Sequence, residues 1–118
     1  MKNGPAKTWK DECGVVGIWN HKDASRIAYL SLYAIQHRGQ ESAGIVTLEE
    51  GQQYVHKGLG LVSEVFDDGT LDRLKGQAAI GHVRYSTTGF NQMANTQPLH
   101  SNLLNGPVAI AHNGNIVN

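Results

Sequence analysis

The pattern of apolar and polar residues is clearest near the start of the chain, where it predicts a strand and then a helix. Residues 13–19 form a short, continuously apolar run, which is typical of a strand buried on both faces. From Ala24 to His37 two sets of apolar residues follow helical spacing, and Gly39 is a suitable residue to end that helix. The two sets are Ile27, Leu30 and Ala34 and, beside them, Ala28, Leu32 and Ile35.

The rest of the chain is predicted to contain a hairpin, short helices and further strands. In order, we expect a strand at Ser42–Leu48, a turn at 49–52, a strand at Gln53–Lys57, short helices at Leu59–Phe66 and Gly69–Leu74, and strands at Ala78–Ser86, Leu99–Leu103 and Val108–His112. Because strands and helices do not alternate regularly, this order favours an α+β fold. Residues 113–118 resemble a turn that enters a further element, so we expect the chain to hold only part of a domain.

Composition narrows the classes of protein and partner. Ten basic residues balance ten acidic ones among 118, so the net charge favours neither nucleic acid nor an anionic membrane as a partner. The polar leader, residues 1–12, lacks the apolar core of a signal peptide, and no apolar run is long enough to cross a bilayer. One unpaired cysteine fits a reducing compartment, and we expect a cytoplasmic protein. The six histidines lack the spacing of metal ligands, so no metal site is predicted.

The single cysteine, Cys13, begins the first predicted strand directly after the leader. If the leader were removed after Glu12, Cys13 would carry both a thiol and a free α-amine. Such an amine titrates near ~7.7–8.0, so it can serve as the base for its own thiol at physiological pH. The alternative is a buried structural cysteine, which is the commoner role for a free cysteine considered alone.

Three polar motifs follow the cysteine, at residues 37–44, 82–89 and 112–115. In the second, Arg84 lies at the end of a predicted strand, where its guanidinium can bind a carboxylate through two hydrogen bonds. In the third, Asn113 and Gly114 can direct a side-chain amide and a backbone N–H at one point, as in an oxyanion hole. Taken singly, the motifs are also compatible with a surface loop, a surface arginine and a turn.

Taken together and in this order, Cys-Gly-Val-Val-Gly-Ile, His-Arg-Gly-Gln-Glu-Ser-Ala-Gly, Gly-His-Val-Arg-Tyr-Ser-Thr-Thr-Gly and His-Asn-Gly-Asn-Ile resemble the glutaminase domain of the amidophosphoribosyltransferases. That family catalyses the first committed step of purine biosynthesis. Its glutaminase domains are class II glutamine amidotransferases, which are N-terminal-nucleophile (Ntn) hydrolases with an αββα sandwich. The resemblance implies this fold, with residues 1–12 as a propeptide and residues 13–118 as a partial glutaminase domain truncated on its C-terminal side.

The same resemblance implies roles for individual residues. Cys13, once the leader is removed, attacks the side-chain amide of glutamine, and its α-amine carries the proton. Asn113 and the N–H of Gly114 stabilise the tetrahedral oxyanion. Arg84 binds the α-carboxylate, and the loop that follows it closes over the substrate. A thioester forms, ammonia leaves, and water releases glutamate. The predicted substrate-binding residues are Arg84, Tyr85, Ser86, Thr87 and His112.

The family also has parts that this sequence does not contain. Its members hold the glutamine α-amine with an aspartate beyond the Asn-Gly-Asn motif. They also carry a phosphoribosyltransferase domain that uses magnesium with phosphoribosylpyrophosphate, and some members have an iron–sulfur cluster. No cofactor is expected within this chain, and the full-length enzyme, a glycosyltransferase, is expected to form a homo-oligomer.

Three alternatives remain open at this point. The chain could be an inactive truncated fragment that neither matures nor binds glutamine. It could belong to another class II amidotransferase such as glucosamine-6-phosphate synthase, although that enzyme typically reads Tyr-Arg-Gly-Tyr-Asp-Ser where this chain reads His-Arg-Gly-Gln-Glu-Ser. It could also be an unrelated redox sensor that uses Cys13 without removal of the leader.

Overall fold

The computed structural model describes residues 13–36, 40–85 and 96–112, with the backbone alone at Cys13. Its elements in chain order are β1 (Cys13–Trp19), α1 (Ala24–Ile35), β2 (Gln40–Glu49), β3 (Gln52–Leu59), α2 (Val62–Val65), α3 (Asp68–Arg73), β4 (Ala78–Tyr85), β5 (Leu99–Leu103) and β6 (Gly106–Ile110). The predicted mixture of helices and strands is confirmed. The boundaries differ by up to three residues, most clearly at the helix predicted for Leu59–Phe66, which begins only at Val62 because Leu59 still belongs to β3. The last strand begins and ends two residues earlier than predicted.

The strands form two antiparallel sheets. The larger one has the order β1-β4-β2-β3, so that β4 pairs with both β1 and β2, and the smaller one is the β5–β6 hairpin. Strand β2 is the best covered strand, because residues 42–47 are all buried. The two residues of the β2–β3 turn, Glu50 and Gly51, both have positive φ, as the tight hairpin requires.

The prediction that the first strand is buried on both faces is wrong. Among the described strands β1 pairs only with β4, so it forms an edge of the sheet. Val15 is 41% exposed and Trp19 is 82% exposed on one face of that strand. An apolar run shows that a strand lacks polar residues, but it does not show which of its faces other elements cover.

The helices cover one face of the larger sheet and form most of its apolar core. Ala28 and Leu32 of α1 are fully buried there against Ile45 and Val83. Of the two predicted apolar sets, only the one with Ala28 and Leu32 is buried, whereas Leu30 is exposed. The helix ends at Ile35, two residues before the predicted end; the predicted stop at Gly39 lies outside the described residues.

The short helices α2 and α3 extend this core beside α1. Their buried residues are Val62, Val65, Phe66, Leu71 and Leu74. Helix α3 begins at a reciprocal cap: the Asp67 carboxylate accepts from the Thr70 N–H at 2.8 Å, and the Thr70 hydroxyl accepts from the Asp67 N–H at 2.9 Å.

The opposite face of the larger sheet carries the β5–β6 hairpin and the segment before it. Gln53 on β3 donates from Nε2 to the Ser101 carbonyl on β5 at 3.0 Å. The described residues are therefore arranged as helices, a four-stranded sheet and a two-stranded sheet. No helix among them is long and apolar enough to span a membrane.

Candidate active site

Three of the four sequence motifs meet at one end of the larger sheet. In the backbone register Arg84 on β4 is the direct partner of Cys13 on β1 and also of Ser42 on β2. The Cα atoms of direct partners in an antiparallel pair are roughly 4.5–5.5 Å apart. Arg84 thus lies between the start of β1 and the start of β2, which includes residues 40–44 of the motif at residues 37–44.

Arg84 is half-buried and has no carboxylate partner among the described residues. Arg26 on α1 shows the contrast, because its guanidinium pairs with Asp68 at 3.1 Å and with Asp72 at 2.5 Å. A guanidinium has five N–H donors in a planar fork that matches a carboxylate. Within the described part of the chain those of Arg84 remain available, as a carboxylate-binding site requires.

The motif at residues 112–115 begins beside the same end of the sheet. The N–H of His112, two residues after β6, donates to Oε1 of Gln97 at 2.8 Å. The carbonyl of His112 lies 3.0 Å from Nε2 of His82. His82 precedes Arg84 by two residues on β4, so the two share a face of the sheet. These contacts hold the main chain at His112 close to the position of Arg84.

His82 is fully buried, and this determines its charge. The pKa of His82 is lowered to about 4, and burial is the largest cause. The electrostatic effects of His112 and Arg84 also lower this pKa, whereas the bond to the His112 carbonyl raises it. The ring is therefore neutral at pH 7. Because Nε2 faces a carbonyl oxygen, that nitrogen carries the hydrogen and donates it. Nδ1 has no hydrogen-bond partner in the described ranges.

The segment 96–98 is fixed to the sheet beneath it. The Lys57 ammonium donates to the carbonyls of Thr96 and Pro98, both at 3.0 Å, and burial lowers the pKa of Lys57. Gly44 lies directly under the segment, where a Cβ would clash with the carbonyl oxygen of Gln97. Only a glycine allows the segment to approach β2 this closely.

The motif at residues 37–44 contains a buried residue, Gln40, that connects neighbouring elements. The Gln40 side chain donates from Nε2 to the carbonyls of Ser42 at 2.7 Å and Gly60 at 2.6 Å. Its Oε1 accepts from the N–H of Val62 at 3.1 Å. Gln40 thus joins the start of β2, the end of β3 and the start of α2. This fixes the strand that lies next to Arg84.

The remaining predicted site residues divide into two groups. Tyr85 lies on the helix-covered face of β4, opposite to Arg84, and its hydroxyl donates to the Ile35 carbonyl at 3.2 Å. A role for Tyr85 or for the His112 side chain in substrate binding stays a prediction. The following lie outside the described residues: Ser86, Thr87, Asn113 and Gly114.

Three residues that support the site, His82, Gln97 and Lys57, are not among the site residues predicted from the sequence. His82 could have been found from Arg84, because the strand period of two places residues 82 and 84 on the same face. No comparable signal exists for Lys57, because it contacts a segment about 40 residues further along the chain. Nor does one exist for Gln97, a loop residue that contacts His112 just after the end of β6.

The described residues offer no metal centre, and an apolar cavity elsewhere in the fold does not suit a polar substrate. The described residues contain no group of three or more His, Cys, Asp or Glu side chains that could hold a metal ion. An apolar cavity of about 320 Å³ lies at the other end of the sheet, between the sheet and β6, with Trp19, Ala78 and Pro107 in its lining. It offers no charged group to a polar substrate.

Comparison with known proteins connects this site to a set of relatives. No protein-family model matches the chain. The chain is 51% identical over 113 residues to amidophosphoribosyltransferase from Bacillus subtilis (strain 168), which covers 95% of this chain and 24% of the relative. It is 54% identical over 110 residues to amidophosphoribosyltransferase 2, chloroplastic, from Arabidopsis thaliana, which covers 92% of this chain and 20% of the relative.

Solved structures give the same result. The glutamine phosphoribosylpyrophosphate amidotransferase from B. subtilis complexed with ADP and GMP matches with a TM-score of 0.73 and 48% identity, over 82% of this chain and 21% of that one. A structure of the allosteric regulatory enzyme of purine biosynthesis matches with a TM-score of 0.75 and 49% identity, over 80% of this chain and 21% of that one. The chain spans a quarter or less of the length of these relatives.

Proposed function

Because the chain belongs to the amidophosphoribosyltransferase family, we propose that it forms part of the glutaminase site of such an enzyme. This site releases ammonia from glutamine for phosphoribosylamine synthesis in the first step of purine biosynthesis. One observation of this structure carries the proposal: the register of β1 and β4 makes Cys13 and Arg84 direct partners at the end of the sheet.

The pairing of β1 with β4 places Cys13 and Arg84 on adjacent strands, which lie about 4.8 Å apart. Arg84 binds the α-carboxylate of glutamine from β4, and the side-chain amide extends towards the start of β1. Cys13, released as the N-terminal residue by removal of residues 1–12, attacks the amide carbon. Holding both groups on adjacent strands converts the encounter into an intramolecular step.

Proton transfer and charge stabilisation complete the reaction. The α-amine of Cys13 takes the thiol proton and returns it to the departing ammonia, so that a thioester remains on Cys13. Asn113 and the N–H of Gly114 stabilise the oxyanion, where the loss of one donor lowers the rate by roughly 10²–10³-fold. Water then attacks the thioester and releases glutamate, which regenerates the thiol.

The proposal also includes the detailed type of fold and the other parts of the full-length enzyme. The helices, the four-stranded sheet and the β5–β6 hairpin correspond to three successive layers of an αββα sandwich of the Ntn-hydrolase type. The partner is a phosphoribosyltransferase domain in a cytoplasmic homo-oligomer. The proposed steps of glutamine hydrolysis use only groups of this chain, and no metal or iron–sulfur cluster is part of the proposal.

Steady-state hydrolysis of glutamine tests the proposal on the protein as it is encoded. We expect Cys13→Ala to abolish hydrolysis. We expect Arg84→Gln to raise KM for glutamine by roughly 10–100-fold, because a hydrogen-bonded charge pair is lost. Arg73→Gln is the matched control, since Arg73 is exposed at the end of α3, away from Cys13. A Cys13→Ala variant that hydrolyses glutamine at the wild-type rate would contradict the proposal, and inactive wild-type protein that keeps residues 1–12 would indicate an inactive fragment.

A further inference from the structure

The hydrogen bonds around His112 form a clamp that glutamine hydrolysis, as derived above, does not use. The main chain of His112 is held at both of its polar groups: its N–H donates to Gln97, and its carbonyl accepts from His82. Both side chains that hold His112 are buried: His82 is fully buried, and Gln97 is only 7% exposed. Because the N–H and the carbonyl of one residue belong to the two peptide groups that flank its Cα, these two contacts fix the main chain on both sides of His112.

The clamp is itself fixed to the sheet. His82 lies on the central strand β4, which pairs with β1 and β2 on its two sides. Gln97 belongs to the segment that Lys57 holds through two carbonyls and that rests directly on Gly44. The position of His112 is therefore determined by the same sheet that places Cys13 beside Arg84.

We propose that His82 and Gln97 are positioning residues for glutamine hydrolysis, which hold the chain at His112 so that Asn113 and Gly114 meet the oxyanion formed at Cys13. This inference rests on the proposed function. Neither residue touches substrate; both act through the main chain that leads into the oxyanion donors.

The chemistry of His82 suits this role. A neutral imidazole can donate from Nε2 to a carbonyl without bringing a positive charge next to Arg84, and its burial keeps it neutral at pH 7. Nδ1 then carries no hydrogen, and it has no partner among the described residues. Within the described part of the chain, His82 therefore uses one ring nitrogen, as a donor to His112.

Two substitutions at His82 separate positioning from simple packing. His82→Leu removes the donor and leaves an apolar side chain of similar size, whereas His82→Gln keeps an N–H donor near the position of Nε2. We expect His82→Leu to lower kcat for glutamine hydrolysis by about 100-fold, with KM within about threefold of wild type. We expect His82→Gln to recover kcat to within about tenfold of wild type.

His56 provides the matched control on the other face of the sheet. Its Nε2 contacts the Val65 carbonyl at 2.7 Å, a bond of the same type in the helix-covered core. We expect His56→Leu to lower Tm while kcat stays within about twofold of wild type. A His82→Leu variant that behaves like His56→Leu, with a lower Tm and an unchanged kcat, would overturn the proposal. So would a His82→Leu variant in which only KM changes.

Amide exchange gives a readout that does not depend on turnover. We expect the amides of Asn113 and Gly114 to exchange about tenfold faster in His82→Leu than in wild type, and at wild-type rates in His56→Leu. If wild type neither hydrolyses glutamine nor reacts with a glutamine analogue, the proposed function fails. The exchange rates still test the clamp in that case. Equal amide exchange rates in wild type and His82→Leu would show that His82 does not hold the chain at His112.

Discussion

The two faces of the four-stranded sheet are built from different chemistry. The helix-covered face is apolar and closely packed, with Leu32, Ile45 and Val83 fully buried in one cluster. The opposite face is polar at the end near Cys13 and Arg84, where it binds the segments on both sides of the second sheet: His82 contacts the His112 carbonyl, and Lys57 contacts the carbonyls of segment 96–98. At its other end this face lines the apolar cavity.

The difference separates stability from positioning. Burial of apolar surface is non-directional and contributes most of the free energy of folding. Hydrogen bonds contribute less net free energy, but they fix the distance and direction of the groups that they join. We therefore expect substitutions on the helix face to change stability with little effect on the site, and substitutions on the polar face to change the site more than stability.

The largest effect on stability is expected at Leu32 in the centre of α1. Leu32→Ala removes a fully buried side chain from the core and leaves a cavity, which lowers the free energy of unfolding by about 2–5 kcal/mol. Urea unfolding measures this change. Val15→Ala on the other face is the control, because Val15 is 41% exposed, and its effect should remain below about 1 kcal/mol. Equal losses for the two variants would remove the distinction between the faces.

A pH-dependent loss of stability is expected from His82. Its pKa is about 4 in the folded protein and near the ordinary value of 6.5 when unfolded, so the unfolded chain binds an extra proton as the pH falls below 6.5. The contribution of neutral His82 is present above that pH and is lost as the pH falls towards 4. Between pH 7 and pH 5 the loss amounts to about 2 kcal/mol.

Urea unfolding of wild type and His82→Gln at both pH values checks this contribution. The variant has no titrating group at position 82, so its loss of stability between pH 7 and pH 5 should be smaller by that amount. Parallel behaviour of the two proteins would show that the His82 ring is not held neutral by burial.

A smaller effect is expected at Gly44, on the polar face. Gly44→Ala places a Cβ against the carbonyl oxygen of Gln97, and relief of that clash displaces segment 96–98 from β2. We expect destabilisation of about 1–3 kcal/mol, together with a lower kcat for glutamine hydrolysis because Gln97 holds His112. Gly17→Ala is the matched control, since a Cβ at Gly17 meets nothing within 4 Å. A Gly44→Ala variant with unchanged kcat would contradict the link between this face and the site.

The smallest effect is expected for the ion pairs of Arg26 on the outer surface of the helices. Asp68 and Asp72 raise the pKa of Arg26 through hydrogen bonds, but the pairs are exposed and screened by salt. Arg26→Gln should change Tm only slightly at low salt and not measurably at high salt. A large decrease in Tm that persists at high salt would show that this surface stabilises the helices more than apolar packing predicts.

Sequence patterns predicted the elements better than their environments. The strand at Leu99–Leu103 was predicted with its observed boundaries, and the helix at Ala24 began where expected, because local periodicity reports local geometry. The coverage of β1 was predicted wrongly, since it depends on strand order, which local periodicity does not contain.

The site shows the same limit. Cys13 and Arg84 were predicted as site residues from their motifs, but their direct pairing follows from the register of β1 and β4. The clamp at His112 is formed by Gln97 and His82, which lie 15 and 30 residues earlier in the chain. No sequence motif predicts these contacts. The roles of Cys13 and Arg84 therefore stay predictions from their motifs, whereas the residues that support them can be found only from the packing of one sheet on the other.

The intact mass of the protein before and after treatment with the glutamine analogue 6-diazo-5-oxo-L-norleucine tests the central claim most directly. We expect a mature chain that lacks residues 1–12 and gains one adduct, which peptide mapping places on Cys13. A chain that keeps Met1–Glu12 and gains no adduct would contradict the assignment of Cys13 as an N-terminal nucleophile.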